Sequence, residues 1–114
     1  RSRVPELIRR AEETGRRNET FVVNFGHAGD GNIHVNFMCD REDGAAIKRA
    51  RVCVGEIFAA AVELGGTISG EHGIGYTKAP YLDMALSSAT INAMKTIKRA
   101  LDPNNILNPG KMFT

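Results

Sequence analysis

The sequence predicts an α+β fold in which helices lie on one face of a small antiparallel sheet. Three observations carry this. Two β-rich apolar runs, residues 21–26 and 33–39, flank the loop Ala28-Gly29-Asp30-Gly31-Asn32, the pattern of a hairpin. Ile47, Ala50, Val54, Ile57, Ala61 and Leu64 recur at three and four residues, the period of an amphipathic helix. Ile91, Met94, Ile97 and Leu101 repeat that period.

Each element has a local reason. Pro5 can occupy a first helical turn, and Leu7, Ile8 and Ala11 give a short apolar stripe up to Gly15. In the hairpin, pairing residues whose numbers sum to sixty puts Phe21, Val23, Phe25, Ile33, Val35 and Phe37 on one buried face. The opposite face then holds Asn24, Gly26, His34, Asn36 and Met38, small and polar enough for the floor of a site. The long helix stops at Gly65-Gly66. A short extended stretch covers residues 67–69, and a helical turn follows Pro80. Ser88 is expected to cap the last helix, with Ile91, Met94, Ile97 and Leu101 inward and Asp102-Pro103 at its end. Residues 104–114, which follow Pro103 and include Pro109-Gly110, read as an ordered or partner-bound strap. The order is α-β-β-α-β-α, without repeats or low-complexity tracts.

A chain of 114 residues is one domain or part of one. Apolar and charged contents of 42% and 25% are ordinary for a globular chain. A net charge of +2 is too small to argue for nucleic acid, and the pairs Arg9-Arg10 and Arg16-Arg17 are assigned to a solvated helix face. No apolar run approaches the ~20 residues of a membrane span, and no signal peptide is recognisable. Cys39 and Cys53 are expected to be free, buried thiols, which suits a cytoplasmic protein, with a peripheral position at the inner membrane left open. The chain opens on an Arg with no initiator Met and is read as a piece of a longer protein.

The chemistry sits in two glycine-laden strings, Gly26-His27-Ala28-Gly29-Asp30-Gly31-Asn32-Ile33-His34 and Ser69-Gly70-Glu71-His72-Gly73-Ile74-Gly75, which together hold all three His of the chain. Imidazole and carboxylate suit a borderline divalent metal, and two His with one Glu leave a coordination position open. Imidazole also titrates near neutrality and can move a proton at working pH. Strict alternation leaves His27 on the apolar side of the hairpin, so joining His34 requires a bend, which Gly26, Gly29 and Gly31 make cheap. In an extended second string, Glu71 and His72 would point oppositely and serve different partners. The bland readings are a hairpin with two surface His and a flexible glycine loop. The second string is not a dinucleotide fingerprint, because no strand–turn–helix unit goes with it.

His27 to His34 (HAGDGNIH), Ser69 to Gly75 (SGEHGIG) and Leu101 to Lys111 (LDPNNILNPGK) closely resemble the C-terminal part of FAD-linked oxidases, in particular the D-lactate dehydrogenase, glycolate oxidase and D-2-hydroxyglutarate dehydrogenase group. The resemblance runs in register over residues 21–113. It implies that residues 1–114 are the final half of a ferredoxin-like α+β substrate domain, with the FAD-binding domain elsewhere in the protein. It implies His27, His34 and Glu71 as ligands of a divalent metal, zinc or manganese, and His72 as the base beside the flavin. It implies Asn36 as a polar contact to substrate and Asn108, in the Asn108-Pro109-Gly110-Lys111 strap, as a contact to FAD.

The expected reaction is oxidation of a small D-2-hydroxy acid, with His72 taking the hydroxyl proton and hydride passing to FAD. The piece alone is expected to be inactive. An iron–sulfur subunit is a partner by resemblance to glycolate oxidase. Two rivals use the same residues: a metal-dependent hydrolase with an activated water, and a non-catalytic binding or subunit-contact module.

Overall fold

Residues 1–113 are described by the computed structural model, and the chain divides into two units, Arg1–Gly66 and the stretch from Thr67 onward. In the first, helix α1 (Val4–Arg17) leads to strand β1 (Phe21–His27), a single 3-10 turn (Ala28–Asp30), strand β2 (Asn32–Met38) and helix α2 (Gly44–Glu63). Pro5 lies in the first turn of α1, as its fixed φ favours. Asp43 caps α2, its carboxylate accepting from the backbone N–H groups of Ala45 and Ala46 at 2.8 and 3.0 Å. Those bonds hold its pKa below the usual carboxylate value.

Both helices pack on one face of the two-stranded antiparallel sheet, so the α+β expectation is borne out in this unit. The core is Ala11, Ile57 and Ala60, with Leu7, Val22, Val35, Phe37 and Phe58 closing around it. Burial of a side chain the size of Ile57 contributes about 1.5–3 kcal/mol. The buried stripe of α2 is Ala50, Cys53, Ile57 and Ala60, turned slightly from the expected one so that small residues meet α1. Only Ala50 and Ile57 belong to both stripes.

The hairpin register differs from expectation by one residue. Phe21 pairs with Met38, Val23 with Asn36, Phe25 with His34 and His27 with Asn32, so paired numbers sum to fifty-nine. A one-residue slip exchanges the faces of one strand relative to the other. Val22, Val35 and Phe37 therefore face the helices, while Phe21, Val23, Phe25, His34, Asn36 and Met38 share the outer face.

Arg9, Arg10 and Arg17 of the two arginine pairs are tied to acids. Arg9 bonds Glu6 and Glu13, Arg10 bonds Glu6 and Glu63, and Arg17 bonds Glu56. Arg9, followed by Arg10, holds the Glu6 carboxyl down at about 2. Cys53 is buried as expected, and burial pushes its thiol pKa up; Cys39 is exposed, contrary to expectation, because it lies just beyond β2.

The second unit contains a 3-10 turn (Ala79–Tyr81), a one-turn helix α3 (Leu82–Ala85) and helix α4 (Ser88–Leu101). The turn after Pro80 is thus present. Residues 67–69 form no strand, so the third β element of the expected order is not found. The cap of α4 is Ser87 rather than Ser88: its hydroxyl accepts from the Thr90 N–H at 3.2 Å. Ile91 and Met94 are half-buried, but Ile97 and Leu101 are 61% and 79% exposed, so the expected inward stripe covers only the first half of the helix. Asp102 ends α4 by pairing with Lys98 and accepting from the N–H groups of Ile106 and Leu107, both at 3.0 Å. Among the described residues, no helix is long and apolar enough to cross a membrane.

Candidate active site

The register places His27 and His34 on one face with no bulge, because pairing His27 with Asn32 makes His34 its diagonal neighbour across the hairpin. Their rings stand edge to face at 73°, with centroids 6.3 Å apart. Phe25, directly opposite His34, stacks on its ring at 5.0 Å and 20°. The bend expected to bring His27 to His34 is therefore unnecessary. Gly26 still matters: its φ is +147°, and a Cβ there would lie 2.5 Å from the Asn32 carbonyl oxygen. Any side chain would push the strands apart between the two imidazoles.

This face is not the purely polar floor that alternation suggested. Phe21, Phe25 and Met38 are 73%, 59% and 54% exposed on it, alongside His34 and Asn36. Asn36 lies opposite Val23 and directs its amide Nδ2 toward the Val23 carbonyl at 3.5 Å, the outer limit of a hydrogen bond. Two imidazoles on an apolar-bordered surface form a donor set suited to zinc or manganese, and the ring separation is compatible with both rings serving one cation.

In the second unit, residues 69–73 form a closed turn rather than an extended segment. The Ser69 hydroxyl donates to the Gly73 carbonyl at 3.0 Å, and Gly73 turns the chain with φ +72°. Glu71 and His72 consequently do not point in opposite directions. Glu71 Oε1 and His72 Nε2 are 3.6 Å apart, longer than a hydrogen bond, and the contact becomes an ion pair when His72 is protonated. Both side chains are exposed at the tip of the turn. Further along, the N–H of Met112 donates to the Gly75 carbonyl at 2.6 Å, and the Lys111 ammonium sits 5.2 Å from the centre of the Tyr76 ring. The tail thus straps the far end of the glycine string. Asn108 takes φ +50° and its carbonyl accepts from the Lys111 N–H at 3.3 Å, so the Asn-Pro-Gly-Lys stretch is a turn.

His27, His34 and Asn36 belong to the first unit, and Glu71, His72 and Asn108 to the second. Within the first, the structure brings the two imidazoles and Asn36 onto one sheet face. Within the second, it brings Glu71 and His72 to one turn tip, and Asn108 belongs to the tail that straps the same glycine string. A cavity of about 170 Å³ in the second unit, bordered by Asp83, Lys95 and Phe113, contains none of the predicted site residues. Sequence reading missed Ser69. A hydroxyl just before a Gly-Glu-His-Gly string was the available signal, because Ser readily bonds nearby backbone in turns.

A family model described as FAD linked oxidases, C-terminal domain, matches residues 1–112. The glycolate oxidase subunit GlcD of Bacillus subtilis is 46% identical over 113 residues, which are 99% of this chain and 24% of that protein. A D-lactate dehydrogenase of Anaerostipes hadrus is 47% identical over 93 residues, 80% of this chain and 19% of the relative. A D-2-hydroxyglutarate dehydrogenase of Stutzerimonas stutzeri is 43% identical over 94 residues, 81% and 20% respectively. The chain therefore spans about a quarter or less of the length of these relatives.

Proposed function

The chain belongs to the FAD-linked oxidases as a C-terminal domain, and on that premise we propose that it is part of a flavoprotein that oxidises a small D-2-hydroxy acid to the 2-oxo acid. The observation that carries this reading is the match over residues 1–112, which takes in both histidine strings. The relatives' names supply the acid class: glycolate, D-lactate and D-2-hydroxyglutarate.

In this reading, bound FAD supplies the two-electron acceptor and a bound divalent ion, zinc or manganese, supplies a Lewis acid. His27, His34 and Glu71 would hold the ion. An imidazole nitrogen of His72 accepts the proton of the substrate hydroxyl. Glu71 Oε1 stands 3.6 Å from His72 Nε2. Asn36 donates its amide to the substrate from the face it shares with His34. Asn108 contacts the flavin from the strapping tail.

The FAD-binding domain of the same protein is one partner, and an iron–sulfur subunit is a second that the likeness to glycolate oxidase subunits favours. A hydrolase or a non-catalytic module accounts for the imidazoles but not for the family match. The test is anaerobic mixing of the full-length flavoprotein with glycolate, D-lactate and D-2-hydroxyglutarate in turn. Bleaching of the flavin absorbance with formation of the 2-oxo acid is expected with at least one. No bleaching with any of the three, together with ester hydrolysis, would replace this reading by the hydrolase.

A further inference from the structure

We propose that Ser69 is a positioning residue for Glu71 and His72, its hydroxyl locking the turn that presents both; this rests on the roles proposed for those two residues. The bond from Ser69 Oγ to the Gly73 carbonyl, 3.0 Å long, closes a loop containing only Gly70, Glu71 and His72. Two of the three enclosed residues thus carry the proposed chemistry, and the third has no side chain. The Ser69 bond spans the tip directly, from one end of the turn to the other. Gly73 has φ +72°, and no heavy atom lies within 4 Å of where its Cβ would be, so packing does not restrain that end. Beyond it, Gly75 at φ +54° is held from outside the string by the Met112 N–H at 2.6 Å. The string is therefore anchored twice, by Ser69 across the tip and by the tail behind it.

Glycine-flanked turns sample many conformations unless tied. Glu71 and His72 are exposed, and their 3.6 Å approach depends on the backbone course between residues 69 and 73. Loss of the Ser69 bond frees that backbone, and displacing catalytic groups by about 1 Å can cost 10²-fold in rate. A threonine keeps the hydroxyl; an alanine removes it while leaving the φ of position 69 accessible.

The experiment compares Ser69→Ala, Ser69→Thr and Glu71→Gln in the full-length flavoprotein after chelator treatment. The Mn(II) dissociation constant is measured by calorimetry; kcat and KM for the best hydroxy acid, FAD content and melting temperature are measured alongside. Ser69→Ala is expected to weaken Mn(II) about 3- to 10-fold, the scale of one net hydrogen bond. Its kcat should fall by about 10- to 100-fold, more than KM changes, with FAD content and melting temperature held. Ser69→Thr should restore both values. An alanine variant with Mn(II) affinity within about threefold of the parent and unaltered kcat would overturn the proposal, as would a threonine variant as damaged as the alanine. If Glu71→Gln leaves Mn(II) affinity intact, the ligand assignment fails and the role of Ser69 falls with it; loss in Glu71→Gln without loss in Ser69→Ala overturns the positioning role alone. Should the alanine variant lose its melting transition, Ser69→Cys, similar in size but a weak donor, is judged by the same two outcomes.

Discussion

Phe25 and His34 are register partners across the hairpin, and their rings stack at 5.0 Å and 20°. One face of the imidazole is therefore set by an aromatic neighbour, which restricts its χ2 before any ligand arrives. Aromatic pairs of this kind are worth about 0.5–1.5 kcal/mol beyond area burial. Phe25→Ala is expected to weaken divalent metal binding by the full-length protein about two- to tenfold, whereas His34→Ala should abolish it. Metal content after dialysis against trace zinc separates the two. Stoichiometric metal in His34→Ala would remove that residue from the ligand set.

His72 lies at a turn tip beside Glu71 rather than opposite it. If it is the base, His72→Ala in the complete enzyme should lower kcat by about 10²–10⁴ with FAD retained. His72→Asn keeps hydrogen-bonding capacity without basicity and should be nearly as damaged. Stopped-flow flavin reduction reads the chemical step directly, and an unchanged rate would move proton transfer to another group.

The hairpin was legible because β-rich apolar runs flank a glycine loop, but its register was not. Phe21, Val23 and Phe25 look like the inward set by size, and alternation alone cannot say which apolar set meets the helices. The answer lies in a tertiary choice: Val22, Val35 and Phe37 pack on Ala11, Ile57 and Ala60, leaving Phe21 and Phe25 outside. The same logic rotates the buried face of α2 toward Cys53 and Ala60, where close approach to α1 favours small residues. The candidate site histidines stood out in the sequence for a different reason: all three fall within the two glycine strings. The Ser69 bond and the Asp102 network did not, since each joins a side chain to backbone groups four or five residues away without any periodic signature.

Asp102 offers a pH test of the tail. The Lys98 ammonium, aided by the Ile106 and Leu107 N–H groups, holds its carboxyl below the ordinary range. A depressed folded-state pKa means that its stabilising contribution is present above the unfolded-state value, about 3.9, and is lost as pH falls through the folded-state value. Hydrogen-exchange protection at Ile106 and Leu107, corrected for intrinsic rates, should therefore persist at neutral pH and vanish on acidification below the usual Asp range. Asp102→Asn should show weak protection at neutral pH without that acid transition. Equal protection in parent and variant would mean that the carboxylate does not anchor the tail.

Ile57 and Asn36 test the two faces of the first unit against each other. Ile57 is 5% exposed and contacts the core of Ala11 and Ala60, so Ile57→Ala should destabilise the folded protein by about 2–5 kcal/mol. Asn36 is on the outer face opposite Val23, and its bond to the Val23 carbonyl is at the geometric limit. Asn36→Ala should therefore change stability by less than about 0.5 kcal/mol, the level usual at surface sites, while raising KM for the hydroxy acid. Denaturant unfolding reads the first quantity and steady-state kinetics the second. A large loss of stability in Asn36→Ala with KM unchanged would make the amide a structural group and move the substrate contact off the sheet. The converse pattern ties the one-residue register to function, because this pairing, unlike one summing to sixty, puts Asn36, His34 and His27 on the same side of the hairpin.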